Sequence, residues 1–102
     1  MTILSTVIGS TNSTIYTSVN NSTTTTIYFC NTGTTAVTIN VYAVTSGATA
    51  SLANVLYYEL QITPTDTYLL DTERMILSNG DSIVVSASIA DVVTATVSYM
   101  GL

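Results

Sequence analysis

The sequence predicts an all-β fold: one domain, an antiparallel β-sandwich, jelly-roll-like or Ig-like, of about eight strands. Three observations carry this. Val37, Ile39, Val41 and Ala43 alternate with Thr38, Asn40 and Tyr42, the period-two pattern of a half-buried strand. Apolar or β-branched runs recur at spacings of roughly 8–12 residues, separated by Gly, Asn, Asp and Pro turn signals. No stretch of useful length has a helical period.

In chain order, Thr2 to Ile8 is either a first strand or, within residues 1–12, an N-terminal arm packing on a neighbour. Gly9 to Ser13 is a loop. Thr14 to Val19 is a strand with Ile15, Thr17 and Val19 on one side and Tyr16 and Ser18 on the other. Asn20-Asn21 turns the chain, since Asn tolerates left-handed backbone. The hairpin from Ser22 to Val44 is the centre of the sandwich. Its first strand ends in the unbroken run Ile27-Tyr28-Phe29-Cys30, which predicts that both faces are covered. Its turn is NTGTT.

Thr45 to Asn54 is the longest loop, small-residued and flexible. Val55 to Ile62 is a strand with Leu56, Tyr58, Leu60 and Ile62 inward and Tyr57, Glu59 and Gln61 outward. Pro64 ends it, having no N–H for a ladder bond. Thr67 to Leu70 is a short strand, and the following DTERMIL is one helical turn or another strand. Asn79-Gly80 predicts a type I′ hairpin turn. It leads into Ile83 to Ile89; Ala90-Asp91 turns again, and Val92 to Tyr99 closes the chain.

Composition narrows function by exclusion. Charged residues make up 7% of the chain, against roughly 25% in an average soluble protein. The net charge is −5, with Arg74 the one basic side chain. Nucleic-acid binding needs several Lys or Arg against phosphates, so no nucleic-acid partner is expected, and no anionic membrane. No apolar run approaches the ~20 residues of a spanning helix. The N-terminus lacks the basic region of a secretory signal, so the chain is expected to be made in the cytoplasm. The Asn-X-Ser/Thr matches are read as chance in so Ser/Thr-rich a chain. Cys30, alone, allows no intramolecular disulfide and is expected to be a small core hydrophobe.

Histidine is absent, which removes the usual Ser-His-Asp and Cys-His arrangements. Glu59, Asp66, Asp71, Glu73, Asp81 and Asp91 are the candidates for a glycosidase carboxylate pair, but most sit beside turns. Asp71-Thr72-Glu73 offers oxygen ligands for calcium without the glycine-bent loop that such sites use. Glu59 or Glu73 is placed to meet Arg74 in a surface contact worth little. The reading is therefore a non-enzyme without cofactor or metal. Seven tyrosines stand out. Tyr58, Tyr68 and Tyr99 fall inward; Tyr16, Tyr42 and Tyr57 fall outward and are the candidate interface residues, tyrosine being favoured at protein contacts. The competing account packs those three under a sandwich edge.

From Thr25 onward the segments TIYFCNTGTTAVTINVYAV, LYYELQI, DTYLLDTERMILSNGDSI and VTATVSYM resemble a family of small tailed-phage virion proteins, cyanophage members among them. The members share, in order, a "cNtg-aVTvnvY" hairpin, a "D-t-eLd---iLanGDtI" segment and a "vtvtVSym" closing strand. The resemblance covers most of the chain and implies a β-sandwich located in the virion. The expected function is a capsid decoration (cement) protein, a homo-oligomer with a trimer favoured, docking on major capsid protein. The alternatives are a neck, tail or fibre-base component, or a host-surface carbohydrate-binding module using Tyr57, Glu59 and Asn54.

Overall fold

The alternating, β-branched stretches form nine strands among the described residues, 2–70 and 75–101 of a computed structural model. These are β1 (Thr2–Ile8), β2 (Ser13–Thr17), β3 (Ser22–Asn31), β4 (Val37–Val44), β5 (Val55–Ile62), β6 (Thr67–Leu70), β7 (Ile76–Leu77), β8 (Ser82–Ala87) and β9 (Val93–Gly101). Sheet A has the order β1-β9-β3-β6, with β7 beside β6 on the same edge of β3; sheet B has the order β2-β8-β4-β5. Every pairing is antiparallel.

The pairs nest. β4 pairs with β5, β3 with β6 and β7, β2 with β8, and β1 with β9. The chain is thus one long hairpin, closed at β4–β5 and open at its termini, folded across itself into two sheets. That is jelly-roll connectivity, with β6 and β7 serving as one interrupted strand. The sequence left jelly-roll and Ig-like orders open; the nesting decides between them.

The core lies between the sheets. Ile27 and Phe29 of β3 and Val93, Ala95 and Val97 of β9 meet Val37, Ile39 and Val41 of β4 and Ile83 and Val85 of β8, all almost fully buried. Alternation works here because these strands run without an inserted residue across the contact region.

Where a residue is inserted, the expected facing fails. On β5, three residue steps from Tyr57 to Leu60 oppose two from Val41 to Ile39. Glu59 takes up the extra residue in left-handed backbone (φ 55°) and donates its N–H to Asn40 Oδ1 at 2.7 Å. One extra residue exchanges the faces beyond it. Leu60 and Ile62 point inward as expected, but Tyr57 packs on the core and Tyr58 and Leu56 are exposed. A bulge between Thr14 and Tyr16 acts likewise on β2, burying both Ile15 and Tyr16.

Asn79-Gly80 also differs from expectation. Asp81 donates its N–H to Ser78 O at 3.0 Å, and only Gly80 of the central pair has positive φ (89°), the pattern of a type II turn. The turn carries the chain from β7 in sheet A to β8 in sheet B, so no hairpin forms; the NTGTT turn likewise passes from β3 in sheet A to β4 in sheet B, so the expected Ser22–Val44 hairpin does not form either. Of DTERMIL, Ile76–Leu77 is strand, while residues 71–74 lie outside the described residues. The calcium candidate Asp71-Thr72-Glu73 and the Arg74 contact therefore lie outside them too.

Asn31 closes one end of the core. Its side chain, fully buried, donates to Thr35 O (2.9 Å) and Ile62 O (3.1 Å) and accepts from Gly33 N (2.9 Å). It thereby fixes the β3–β4 turn to the end of β5. Asn31→Ala strands those groups, and urea titration should show a loss of about 2–3 kcal/mol, with an unchanged m-value. Gly80 is held for space as well as φ, because a Cβ there would lie 2.6 Å from Ser46 Oγ. Gly80→Ala should cost about 1–2 kcal/mol in the same assay, and Ser46→Gly in that background should restore only the steric part.

Candidate interaction surface

The outer face of sheet A collects residues that the register places side by side. One row is Ser5, Thr96, Tyr28 and Leu69; the next is Val7, Thr94, Cys30 and Thr67. Ile3 with Ser98 and Thr26, and Ile76 with Thr23 and Met100, extend it toward the other end. Ile3, Val7, Tyr28, Leu69, Ile76 and Met100 are all exposed. Between them stand hydroxyls that pair across strands: Ser5 with Thr96 at 3.0 Å, and Thr25 Oγ1 donating to Ser98 Oγ at 2.9 Å. Such pairs satisfy the hydroxyls across neighbouring strands without charge.

No ionisable carboxylate or basic group of the described residues lies on this face. Glu59 sits on the β5 bulge, and Asp66, Asp81 and Asp91 sit in the turns at the sandwich ends. Asp66 and Asp81 are occupied there. Asp66 Oδ1 accepts from Thr67 N (2.9 Å) and Oδ2 from the Thr63 hydroxyl (3.1 Å). Asp81 Oδ1 accepts from Ser46 N and Oδ2 from Ser78 N, both at 3.0 Å. These carboxylates fasten turns, and no cluster of three or more metal-ligating side chains occurs among the described residues.

The run Ile27-Tyr28-Phe29-Cys30 sharpens the point. Ile27 and Phe29 are sealed in the core, but Tyr28 is 39% exposed and Cys30 is only half-buried. Cys30 opposite Thr94 lies on the outer face, not in the core as expected, because Phe29 holds the inward position. A central strand that is apolar on both faces is normally covered on both. The described residues cover one. They treat sheet B differently: there Tyr42, Val44 and Val84 on the outer face pack with Ala50 of the 45–54 loop and with Val55.

The three tyrosines singled out from the sequence do not form this surface. Tyr16 is 6% exposed: its hydroxyl bonds Ser22 Oγ at 2.7 Å, Ser22 bonds Ser18 Oγ at 2.6 Å, and its ring lies 4.3 Å from that of Tyr99. Tyr42 does face outward from sheet B, but its own cluster buries it. Tyr57 meets Tyr68 edge-on at 6.0 Å on the core side. The exposed rings are Tyr28 and Tyr58. The carbohydrate trio is likewise dispersed: Tyr57 faces the core, Glu59 is on the bulge, and the Asn54 amide is spent on Ser51 N and Thr49 O, both at 2.9 Å.

Hollows also occur among the described residues. A cleft of about 300 Å³ is lined by Val44, Leu56, Ile76 and Leu77 with Asp81 among its walls, and it adjoins Met75, the residue following the segment 71–74. A smaller one of about 150 Å³ lies over Tyr16, Val19, Ser22 and Tyr99. Neither brings together groups suited to proton transfer or nucleophilic attack. Comparison with known proteins adds no relative: no family model, no curated protein and no solved structure matches the chain.

Proposed function

We propose that the chain is a structural protein of a tailed-phage virion, a capsid decoration (cement) protein that docks on major capsid protein. The observation that carries the reading is the outer face of sheet A, free of charged groups among the described residues, where Tyr28 and Cys30 of the apolar run emerge at the middle of the molecule. Strand spacing of ~4.8 Å and a rise of ~3.3 Å per residue give that face on the order of 450 Å². A stable pairwise complex buries about 800 Å² per partner, so one such contact is weak alone. Repeated over a symmetric shell, weak contacts add into firm attachment.

The location in a virion rests on the resemblance of the TIYFCNTGTTAVTINVYAV and LSNGDSI segments to small virion proteins. The chemistry of the face supports the docking role. A contact built from Thr, Ser and aliphatic side chains needs no ion pairing, and its strength should change little with salt. The chain acts without catalysis, cofactor or metal in this role.

Quantitative mass spectrometry of purified particles tests the placement. A decoration protein should be present in hundreds of copies, whereas a dozen or fewer would replace this reading by a neck, tail or fibre-base position. Charge placed on the face tests the surface. Thr96→Lys, at a half-buried site, and Tyr28→Glu, at an exposed one, should keep the far-ultraviolet spectrum and lie within about 1 kcal/mol of the parent in stability, as substitutions on an outer face usually do. Both should fail to sediment with particles that bind the parent chain.

A further inference from the structure

The four sheet edges are not equivalent. An open edge offers unpaired N–H and C=O groups to any extended chain, and proteins blunt such edges with bulges, charges, proline or brevity. β2 is short and bulged between Thr14 and Tyr16. β5 carries two register shifts and Glu59 in left-handed backbone. β6 has four residues and follows Pro64, and β7 has two. β1 has none of these devices. Its seven residues, TILSTVI, pair with β9 in unbroken register, without charge or proline. Ile3 is 70% exposed, Val7 55% and Leu4 41%.

We propose that β1 is a self-association edge, pairing antiparallel with β1 of a second copy of this chain. The sequence of the strand specifies the register. With the two-fold axis at Ser5, Ile3 of one copy stands opposite Val7 of the other, and Ser5 opposite Ser5. An axis at Leu4 would set Ile3 against Ser5, and one at Thr6 would set Val7 against Ser5. Only the Ser5 axis joins the two exposed aliphatic side chains of the outer face, the favourable cross-strand arrangement.

Self-complementarity argues for a second copy as occupant, since Ile3 and Val7 stand symmetrically about Ser5, and charge does not oppose it at this edge. Two chains of net charge −5 repel through most surfaces, and β1 brings them together where no described carboxylate lies. Antiparallel pairing of one strand with itself also closes after two copies and adds no further edge of its kind. This yields a dimer instead of the trimer favoured from the sequence. Seven residues at ~3.3 Å along a sandwich 20 Å in its thinnest extent give roughly 450 Å² per copy, below the ~800 Å² of a stable pairwise complex, so the dimer should be weak and depend on concentration.

Sedimentation equilibrium of the purified chain from about 5 to 500 µM should fit a monomer–dimer equilibrium. Ser5→Lys, which sets two ammonium groups at the axis, should raise the dissociation constant at least 100-fold and leave the melting temperature near the parent's. Thr67→Lys on the opposite edge should leave the dissociation constant unchanged. Because Ser5→Lys also removes the Ser5–Thr96 bond, a cysteine series supplies a second reading. In a Cys30→Ser background, Ser5→Cys should crosslink under mild oxidation, as residues directly opposite are within disulfide reach. Val7→Cys alone should not. A monomer across the whole range, a dimer indifferent to Ser5→Lys, or equal crosslinking by Ser5→Cys and Val7→Cys would each overturn the proposal. None of these results depends on whether the chain belongs to a virion.

Discussion

The ladder between β3 and β9 is the constraint on which the rest of the molecule depends. It pairs Ser22 with Gly101 at one end and Asn31 with Val93 at the other, and both strands lie inside sheet A. Its inward side chains, Ile27, Phe29, Ala95 and Val97, form one wall of the core. Its outward side chains, Tyr28, Thr94, Thr96 and Ser98, form the middle of the uncharged face. Core and surface are thus two sides of one hydrogen-bonded unit. Its register cannot slip by one residue without sending aliphatic groups out and hydroxyls in.

Near-absence of charge changes what such a surface is for. Ordinary soluble sandwiches keep the solvent face of a sheet polar and protect it with lysine or glutamate. Here threonine and serine take those positions, supplying hydrogen-bonding groups at little desolvation cost compared with an ion. Hydroxyls bonded to one another, as Ser5 to Thr96, lose little water when the face is covered.

Much of the architecture was legible because periodicity and turn residues follow directly from strand geometry. Val37 to Val41 alternates in sequence and in burial, and the Thr45–Asn54 loop and the Ala90-Asp91 turn fall where small and polar residues place them. The strand order was beyond the sequence, since nested pairing depends on contacts between residues far apart in the chain. Bulges were the main source of error. Nothing in VLYYELQI marks Glu59 as the inserted residue, and only its partner Asn40, nineteen positions earlier, makes the left-handed backbone tolerable. The tyrosine assignments for β5 failed with that one residue. In the sequence Asn31 stands as the first residue of the NTGTT turn, although a lone Asn at the end of an apolar strand is a fair signal of a buried polar clamp. The outer face of sheet A was written in the sequence as the run Ile27–Cys30, but its exposure is a tertiary property.

The nesting of the strands also orders events in folding. β1 precedes every other described strand and its partner β9 follows them all, so hydroxyls as distant as Ser5 and Thr96 meet only when the two flanks of the fold close. Contacts of such long sequence separation form slowly. Until β9 settles between β1 and β3, sheet A stays divided and its outer face does not exist as one continuous surface.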